Sequence, residues 1–430
     1  MSAALANGLA SPHRRRAALV LLLALLVVVL VVHAAPTPPA FWTVHVGQTP
    51  GALAVDARYG RLLVADSADR SVHLLDARSG ALLATIPLGT APAALALDET
   101  HGRAFTLNGC AVSPSIAALC SAGGSSMSVL DLRRGTLLDT VGMAPGAAAL
   151  AVDEQADRVL VAHADGTVGL LAAASGRRLR TIAVGGSPVA IAAASRLGHV
   201  FLSSDDVGTG QGRVLMLDSA TGTLLSTQPV GPSAGLVLSD ARAGRVLAAG
   251  ETGLRVLDAR TGRMLRDIAG GGLPLAIDGG DGRALIATQG HLRLLATRDG
   301  ALVGPTLDRG GLSPVFIDAV AVDALGGRFY VVGHGPTDRT SPTALGYLAV
   351  LDSHTGRLLR QLALPELPLA VAVDPLTHRA FIAGGAAEAG RSDGGTRPTE
   401  WLRRLLPWLP LPATPPAAGG TVTVVDTTRL

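Results

Sequence analysis

The residues of this chain that most resemble reactive motifs are a serine flanked by glycines and a glycine-rich loop. Gly231-Pro232-Ser233-Ala234-Gly235 matches the G-x-S-x-G pattern of a nucleophilic serine, and Gly208-Thr209-Gly210-Gln211-Gly212 resembles a phosphate-binding loop. Both chemistries require a strand that turns directly into a helix. Here the first segment connects two predicted strands of neighbouring sheets, and the second joins two strands of a hairpin. We therefore expect neither catalysis nor phosphate binding at these positions.

Residues with metal-binding or redox chemistry are few and are not spaced as a ligand set. The 11 histidines are scattered along the chain, and the adjacent acids Asp205 and Asp206 are more typical of a solvated loop than of a calcium site. The sequence thus predicts no metal and no cofactor. Cys110 and Cys120 lie ten residues apart in one Gly/Ser-rich loop. Outside the cytoplasm this arrangement favours a disulfide, and the alternative is a pair of unlinked thiols.

The strongest candidates for a binding site lie in one long insertion, residues 385–419. It contains two of the 3 tryptophans of the protein, together with neighbouring arginines: Trp401, Arg403, Arg404 and Trp408. The insertion could fold back as a lid over a central channel, dock a protein partner, or touch lipid. Trp and Arg are typical anchors of protein interfaces, which favours a partner among the two functional alternatives.

The elements that position these residues form a repeat that occurs eight times. Its first copy is Leu53–Asp56, then Gly60-Arg61, then Leu62–Val64. Each unit has four apolar stretches of strand length, which we name A to D, joined by short turns with Gly and Asp. Such a unit predicts a four-stranded antiparallel sheet, and its repetition around an axis predicts an all-β fold, the β-propeller.

The two ends of the chain decide the number of blades. The last unit has strands A, B and C (369–374, 379–384 and 420–426) but no strand D, whereas Trp42–Val46 resembles a strand D without a unit of its own. The N-terminal strand can therefore complete the last blade and close the ring, which leaves no free edge. This predicts eight blades, or seven if one unit is an addition outside the ring.

The repeat resembles a known bacterial family. Ser71–Asp76, then Thr85–Pro92, then Leu95–Asp98 is similar to the YVTN-type repeat of secreted and periplasmic propellers, although the aromatic residue of strand B is mostly Leu or Val here. The resemblance covers residues 42–430. It implies a propeller outside the cytoplasm, and it transfers no functional residue, because the repeat residues are scaffold.

The N-terminus predicts a membrane-targeting segment. Arg14, Arg15 and Arg16 precede the uncharged run Ala17–Val32, which as a helix would rise about 24 Å, slightly less than a bilayer core. The rule of positive charges inside places residues 1–16 in the cytoplasm, residues 17–35 in the membrane and the rest outside, after a Pro-rich linker at 36–41. The alternative is a signal peptide cleaved near Ala34, which would release a secreted protein.

The long connections lie mainly between strands B and C, on the face we call the loop face. They are residues 109–125, 205–212, 333–344 and 385–419. On the opposite turn face, seven of eight A–B turns carry Arg. We expect these arginines to pair with the Asp at the end of strand A in the same hairpin, the alternative being contact with anionic headgroups.

We therefore expect a non-enzymatic, membrane-tethered binding scaffold whose loop face takes a protein or small-ligand partner. The alternatives are a lactonase-like hydrolase that works in the central channel, and a nucleic-acid-binding propeller. A net charge of +3 and an aromatic content of 3% oppose binding of nucleic acid.

Overall fold

The computed structural model describes residues 41–109, 111–113, 116–119, 125–288, 291–308, 316–335, 346–385 and 419–427. Within these ranges the chain is almost entirely β-structure, with one 3-10 turn at Ser195–Leu197. Among the same residues no helix is long and apolar enough to cross a bilayer. The predicted membrane segment, residues 17–35, lies outside the described residues. Trp42–Leu430 forms one compact unit.

The strands group into eight four-stranded antiparallel sheets. Blade 1 contains β2 (Pro50–Asp56), β3 (Arg61–Asp66), β4 (Ser71–Asp76) and β5 (Leu82–Pro87). Blade 2 contains β6 (Pro92–Asp98), β7 (Arg103–Asn108), β10 (Ser126–Asp131) and β11 (Thr136–Gly142), with the inserted hairpin β8 (Ala111–Ser113) and β9 (Ile116–Leu119). Blade 3 contains β12 (Ala147–Asp153), β13 (Arg158–His163), β14 (Thr167–Ala172) and β15 (Arg178–Ala183). Blade 4 contains β16 (Ser187–Ala194), β17 (His199–Asp205), β18 (Gln211–Asp218) and β19 (Leu224–Pro232).

The second half of the ring follows the same order. Blade 5 contains β20 (Ala234–Asp240), β21 (Arg245–Gly250), β22 (Gly253–Asp258) and β23 (Met264–Ala269). Blade 6 contains β24 (Leu273–Asp278), β25 (Arg283–Thr288), β26 (His291–Ala296) and β27 (Leu302–Asp308). Blade 7 contains β28 (Phe316–Asp323), β29 (Arg328–His334), β30 (Gly346–Asp352) and β31 (Leu358–Leu364). Blade 8 contains β32 (Leu367–Asp374), β33 (Arg379–Gly385), β34 (Thr421–Asp426) and β1 (Phe41–His45).

Blade 8 closes the ring with strands from both ends of the chain. Its strand order is β1-β34-β33-β32, so the N-terminal strand takes the position of strand D. The amide of Val46 donates to the carbonyl of Gly420 at 2.9 Å, and the amide of Gly420 donates to Gly47 at 3.0 Å. The A strands contact one another in cyclic order, and β2 of blade 1 meets both β6 and β32. The predictions of eight blades and of N-terminal closure are confirmed, and the alternative of seven is wrong.

The hydrophobic core is divided into eight clusters, one at each junction between neighbouring blades. Strands B and C are buried, the inner A strands are half-buried, and the outer D strands are mostly exposed. The cluster that joins blades 8 and 1 packs Val46 with Leu62 and Val64 against Phe381 and Val424. Since every blade contacts two others, the apolar faces that one sheet could not bury alone are covered by its neighbours.

In six of the eight blades the first residue of strand B donates a hydrogen bond to the next blade. Arg379 donates to the carbonyl of Arg78 in the following C–D turn at 2.6 Å, and Arg328 donates to Thr427 at 2.8 Å. Equivalent bonds join Arg61 to Leu132, Arg158 to Ala220, His199 to Ala259 and Arg245 to Arg298. The prediction that the arginines pair with the strand-A aspartate of their own hairpin is not met in these six blades. The side chains at this position donate to main-chain carbonyls at the C–D turn of the next blade instead.

We expect the Arg379→Met variant to lose about 1–2 kcal/mol of unfolding free energy, since it removes a charge-assisted hydrogen bond at the ring closure. The guanidinium of Arg379 also lies 5.3 Å from the ring centre of Trp42. The matched control is Arg283→Met, because Nη1 of Arg283 reaches only Gly282 in its own hairpin, at 3.4 Å. Denaturant unfolding of both variants tests this difference, and equal losses would contradict a linking role for Arg379.

Candidate functional site

A cleft of about 650 Å³ opens between blades 5 and 6. One wall consists of Ser233, before β20, and of Gly250 and Glu251, at the end of β21. The other wall consists of Gly270–Leu273, which lead into β24, and of Thr288 at the end of β25. These D–A and B–C connections belong to the loop face. The cleft is therefore on the face that also carries the long insertions.

The cleft exists because its walls are built from the smallest residues. Gly270 has a φ of +64°, which permits the turn from β23 into the next blade. A Cβ atom on Gly272 would lie 1.5 Å from the carbonyl oxygen of Ala287, so only glycine lets the two backbones pass. The amide of Gly270 donates to Thr252 at 3.1 Å and fixes the loop on the neighbouring B–C turn.

Glu251 is the ionisable side chain in the lining of the cleft, and it is exposed. Its amide donates to Pro232 at 3.0 Å, which holds the backbone while the carboxylate remains accessible. Behind the wall, Arg255 is 7% exposed and donates to Thr252 Oγ1 at 3.2 Å. Its Nε lies 3.4 Å from Asp267 Oδ1, so the buried positive charge is balanced within the blade. The cleft therefore offers one accessible carboxylate among small residues.

A second polar feature lies at the loop-face end of strand β28. His334 Nδ1 lies 2.8 Å from Asp318 Oδ2, and the imidazole stacks on Phe316 with ring centres 5.2 Å apart. Asp318 sits at the β-bulge that recurs in every A strand, where the other single-residue bulges have Gly51, Ala93, Ala148, Val189, Leu275 or Leu369. Burial raises the pKa of Asp318, and the hydrogen bond from His334 opposes this shift. The carboxylate therefore orients the imidazole.

The motifs that resemble reactive sites act as connections in the structure. Ser233 joins β19 to β20 with a φ of 52°, so a strand and not a helix follows it. Asp206 accepts amide hydrogen bonds from Gly208 and Thr209 at 3.0 Å, which lowers its pKa. Asp205 accepts the amide of Ala234. Asp206 thus stabilises the turn between β17 and β18, and Asp205 holds the first residue of β20.

Within the part of the chain that the structure describes, two groups of side chains have the spacing of metal ligands. Asp66, Asp69 and His73 form one, and the other consists of Asp98, His101 and Asp157. Asp66 is fully buried and accepts the amides of Gln48 at 2.6 Å and Thr49 at 2.9 Å, so it holds the segment that follows β1. His101 Nδ1 lies 2.8 Å from Asp98 Oδ2 within one turn. Hydrogen bonds within the protein therefore account for the positions of Asp66 and Asp98 without a metal ion.

The binding residues predicted from the sequence, Trp401, Arg403, Arg404 and Trp408, lie outside the described residues, as do Cys110 and Cys120. The chain leaves the described part after Gly385 at the end of β33 and returns at Gly419 before β34. Both points are at the loop-face end of blade 8. Sequence reasoning did not identify the cleft or the Asp318–His334 pair. The signal for the pair was an acidic residue at an otherwise small or apolar position of strand A.

No protein-family model matches the chain, and a search of curated proteins found no match. Solved structures do resemble it. Ika8, a computationally designed protein, is 18% identical with a TM-score of 0.58, over 80% of this chain and 94% of Ika8. BamB from Moraxella catarrhalis is 16% identical with a TM-score of 0.54, over 89% of this chain and 98% of BamB. Hydrazine synthase of Kuenenia stuttgartiensis is 13% identical with a TM-score of 0.50, over 79% of this chain and 94% of the hydrazine synthase chain. At these identities the similarity shows the fold alone.

Proposed function

We propose that this propeller is a non-enzymatic binding scaffold, tethered to a membrane outside the cytoplasm, whose loop face docks a protein partner. The observation that carries the proposal is the difference between the two faces of the ring. The turn face consists of short turns in which a carboxylate satisfies the turn amides, as Asp76 does for Ser79 at 2.7 Å. The loop face carries the cleft and every long insertion. Variable connections on a rigid scaffold are where proteins place their binding residues.

The membrane tether is supported by the N-terminal sequence. Three arginines precede the apolar segment 17–35, and the following strand β1 begins on the turn face, as strand D does in every blade. A tether at this position would leave the loop face pointing away from the bilayer. The resemblance to YVTN-type repeats agrees with a location outside the cytoplasm, where Cys110 and Cys120 would be expected to form a disulfide. Cleavage near Ala34 would give the same propeller as a secreted protein.

Within the loop face, we assign the anchoring contacts to Trp401 and Trp408, assisted by Arg403 and Arg404. Large aromatic and arginine side chains contribute most of the binding energy in typical interfaces. The cleft between blades 5 and 6 adds a recess in which Glu251 can accept a hydrogen bond from a basic side chain of the partner.

The test is chemical crosslinking of the full chain in its native membranes, comparing the wild type with Trp401→Ala/Trp408→Ala and with Glu251→Arg. We expect the yield of specific crosslinked complexes to fall at least tenfold for the double variant, which corresponds to about 1.4 kcal/mol. The matched control is Arg242→Ala, an exposed residue on the turn face of blade 5. Unchanged complexes in both loop-face variants would exclude the proposal.

A further inference from the structure

Exposed apolar side chains on the turn face are concentrated in three neighbouring blades. In the A–B turns of blades 7 and 8, Leu325 is 69% exposed and Leu376 is 62% exposed, and Tyr59 is exposed in the turn of blade 1. The same turns of blades 2 to 6 carry no large exposed apolar residue, and all of them are described. We call the turn face of blades 7, 8 and 1 the docking sector.

The edge of the docking sector is apolar as well. Strand D of each blade starts beside the turn face, and its first residues are exposed because no further strand covers them. In blade 1 these are Leu82 and Leu83, and in blade 7 they are Leu358 and Leu359. Blades 2, 4 and 5 have equivalent exposed pairs, so this apolar edge continues beyond the docking sector, which the A–B turns alone distinguish. Successive side chains of a strand point to opposite faces, so each pair covers both sides of its blade edge. A flat apolar surface that touches this sector would meet leucines at its centre and at its rim.

The charges of the docking sector are positive. Arg58, Arg78 and Arg357 are exposed there. The aspartates that end the A strands of these blades, Asp56, Asp323 and Asp374, are buried. In the C–D turns, hydrogen bonds from Ser79 lower the pKa of Asp76, and those from Thr355 lower the pKa of Asp352. These two carboxylates are therefore engaged by their own turns, whereas Arg78 and Arg357 are exposed. Arg58 is also exposed, although its Nη1 donates to the carbonyls of Glu99 and Thr100 in blade 2.

The remaining turn face also has exposed arginines, among them Arg133, Arg134 and Arg260, but it adds acidic residues in its A–B turns that the docking sector lacks. Blades 2 and 3 have Glu99 and Glu154 after the strand-A aspartate, where blades 1 and 7 have alanine, and blade 6 has Asp281 in this turn. Burial and the negative charges of Asp56, Glu154 and Asp374 raise the pKa of Glu99. Exposed arginines would attract an anionic surface all around the turn face, so it is the acids of blades 2, 3 and 6 that make this surface less favourable there than at the docking sector.

The position of the chain entry indicates which anionic surface this is. Strand β1 belongs to blade 8, the middle blade of the docking sector, and it begins on the turn face. Five residues, 36–40, separate it from the apolar segment that ends at Ala35. Five extended residues span at most about 17 Å. If the apolar segment enters a bilayer, the docking sector is the part of the propeller attached closest to it.

We propose that the docking sector rests on an anionic lipid bilayer. Leu325 and Leu376 enter the boundary between headgroups and acyl chains, and Arg58, Arg78 and Arg357 contact lipid phosphates. The arginines that begin the B strands are not part of this contact, because most of them donate a hydrogen bond to the next blade. The proposal rests on the membrane tether proposed above. It concerns the face opposite the partner site, so it can fail while the loop-face function holds.

The experiment measures tryptophan fluorescence of the full chain in vesicles of phosphatidylcholine and phosphatidylglycerol with brominated acyl chains, which quench at contact. The signal of Leu376→Trp is compared with that of the parent chain, which supplies the background of the native tryptophans. We expect at least twofold stronger quenching of the new tryptophan than in two controls. Arg242→Trp occupies the equivalent turn position in blade 5, and Val207→Trp lies on the loop face, where Val207 is 82% exposed.

Quenching of Leu376→Trp that does not exceed that of Val207→Trp would overturn the proposal. Equal quenching of Leu376→Trp and Arg242→Trp would show that the whole turn face lies on lipid, and would overturn the assignment to three blades. The charge is tested by adding Arg58→Gln, Arg78→Gln and Arg357→Gln to Leu376→Trp. Each arginine near a membrane contributes about 1 kcal/mol, about fivefold in the docking equilibrium. Quenching should therefore fall sharply, and unchanged quenching would contradict the electrostatic contact.

Discussion

Replacing Val46 by Asp is expected to lower the unfolding free energy by about 4 kcal/mol or more, because it places an unpaired charge in the closing junction of the ring. Val46 is 4% exposed and packs with Leu62, Val64 and Phe381. Its amide also joins the N-terminal segment to Gly420. A carboxylate at this position must either remain buried or separate the segment after β1 from blade 8.

The matched control is His45→Asp, one residue earlier, at the exposed last position of β1. We expect this variant to change stability by less than about 0.5 kcal/mol, as is usual for exposed positions. Guanidinium chloride unfolding, followed by circular dichroism, measures both variants. If Val46→Asp were as stable as His45→Asp, the junction between the two chain ends would not support the ring.

Gly272→Ala is expected to lower the unfolding free energy by about 3 kcal/mol and to change the shape of the cleft. The added Cβ would lie 1.5 Å from the carbonyl oxygen of Ala287 and 2.8 Å from the amide nitrogen of Thr288. Backbone atoms of a buried sheet cannot move aside as a flexible side chain can, so the loop 270–272 must shift. Overpacking of this kind costs about 1–3 kcal/mol, and more where no rotamer relieves it.

Gly270→Ala controls for the loss of glycine in the same loop. Gly270 has a positive φ, but an added Cβ meets nothing within 4 Å. Its cost is therefore limited to backbone strain of about 1 kcal/mol. Thermal unfolding of both variants, together with hydrogen exchange of residues 285–288, tests the difference. Similar losses in the two variants would mean that the two backbones at the cleft are not in close contact.

The architecture could be predicted from the sequence because it depends on local signals. Each A–B hairpin has an apolar strand, a turn with Gly and a second apolar strand, and the missing strand D of the last unit matched the extra strand at Trp42–Val46. These signals need only neighbouring residues and the rule that sheet edges must be covered.

The sites could not be predicted in the same way, because they depend on contacts between blades. The partners of Arg61 and Arg158 lie in the next blade, 71 and 62 residues along the chain, which no hairpin pattern contains. The cleft likewise forms where the Gly270–Gly272 loop meets β25 of the neighbouring blade. The docking sector became visible only when the blades around the chain entry were known to be 7, 8 and 1.

The construction of blade 8 has a consequence for biosynthesis. Its outer strand is translated first and its neighbour β34 last, so the protein remains incomplete until Thr421–Asp426 has left the ribosome. A product that terminates before this point leaves the backbone groups of β33 and β1 unpaired, and such edges favour aggregation. The edges of β1 and β33 are therefore covered only once β34 has been made and has paired with both strands.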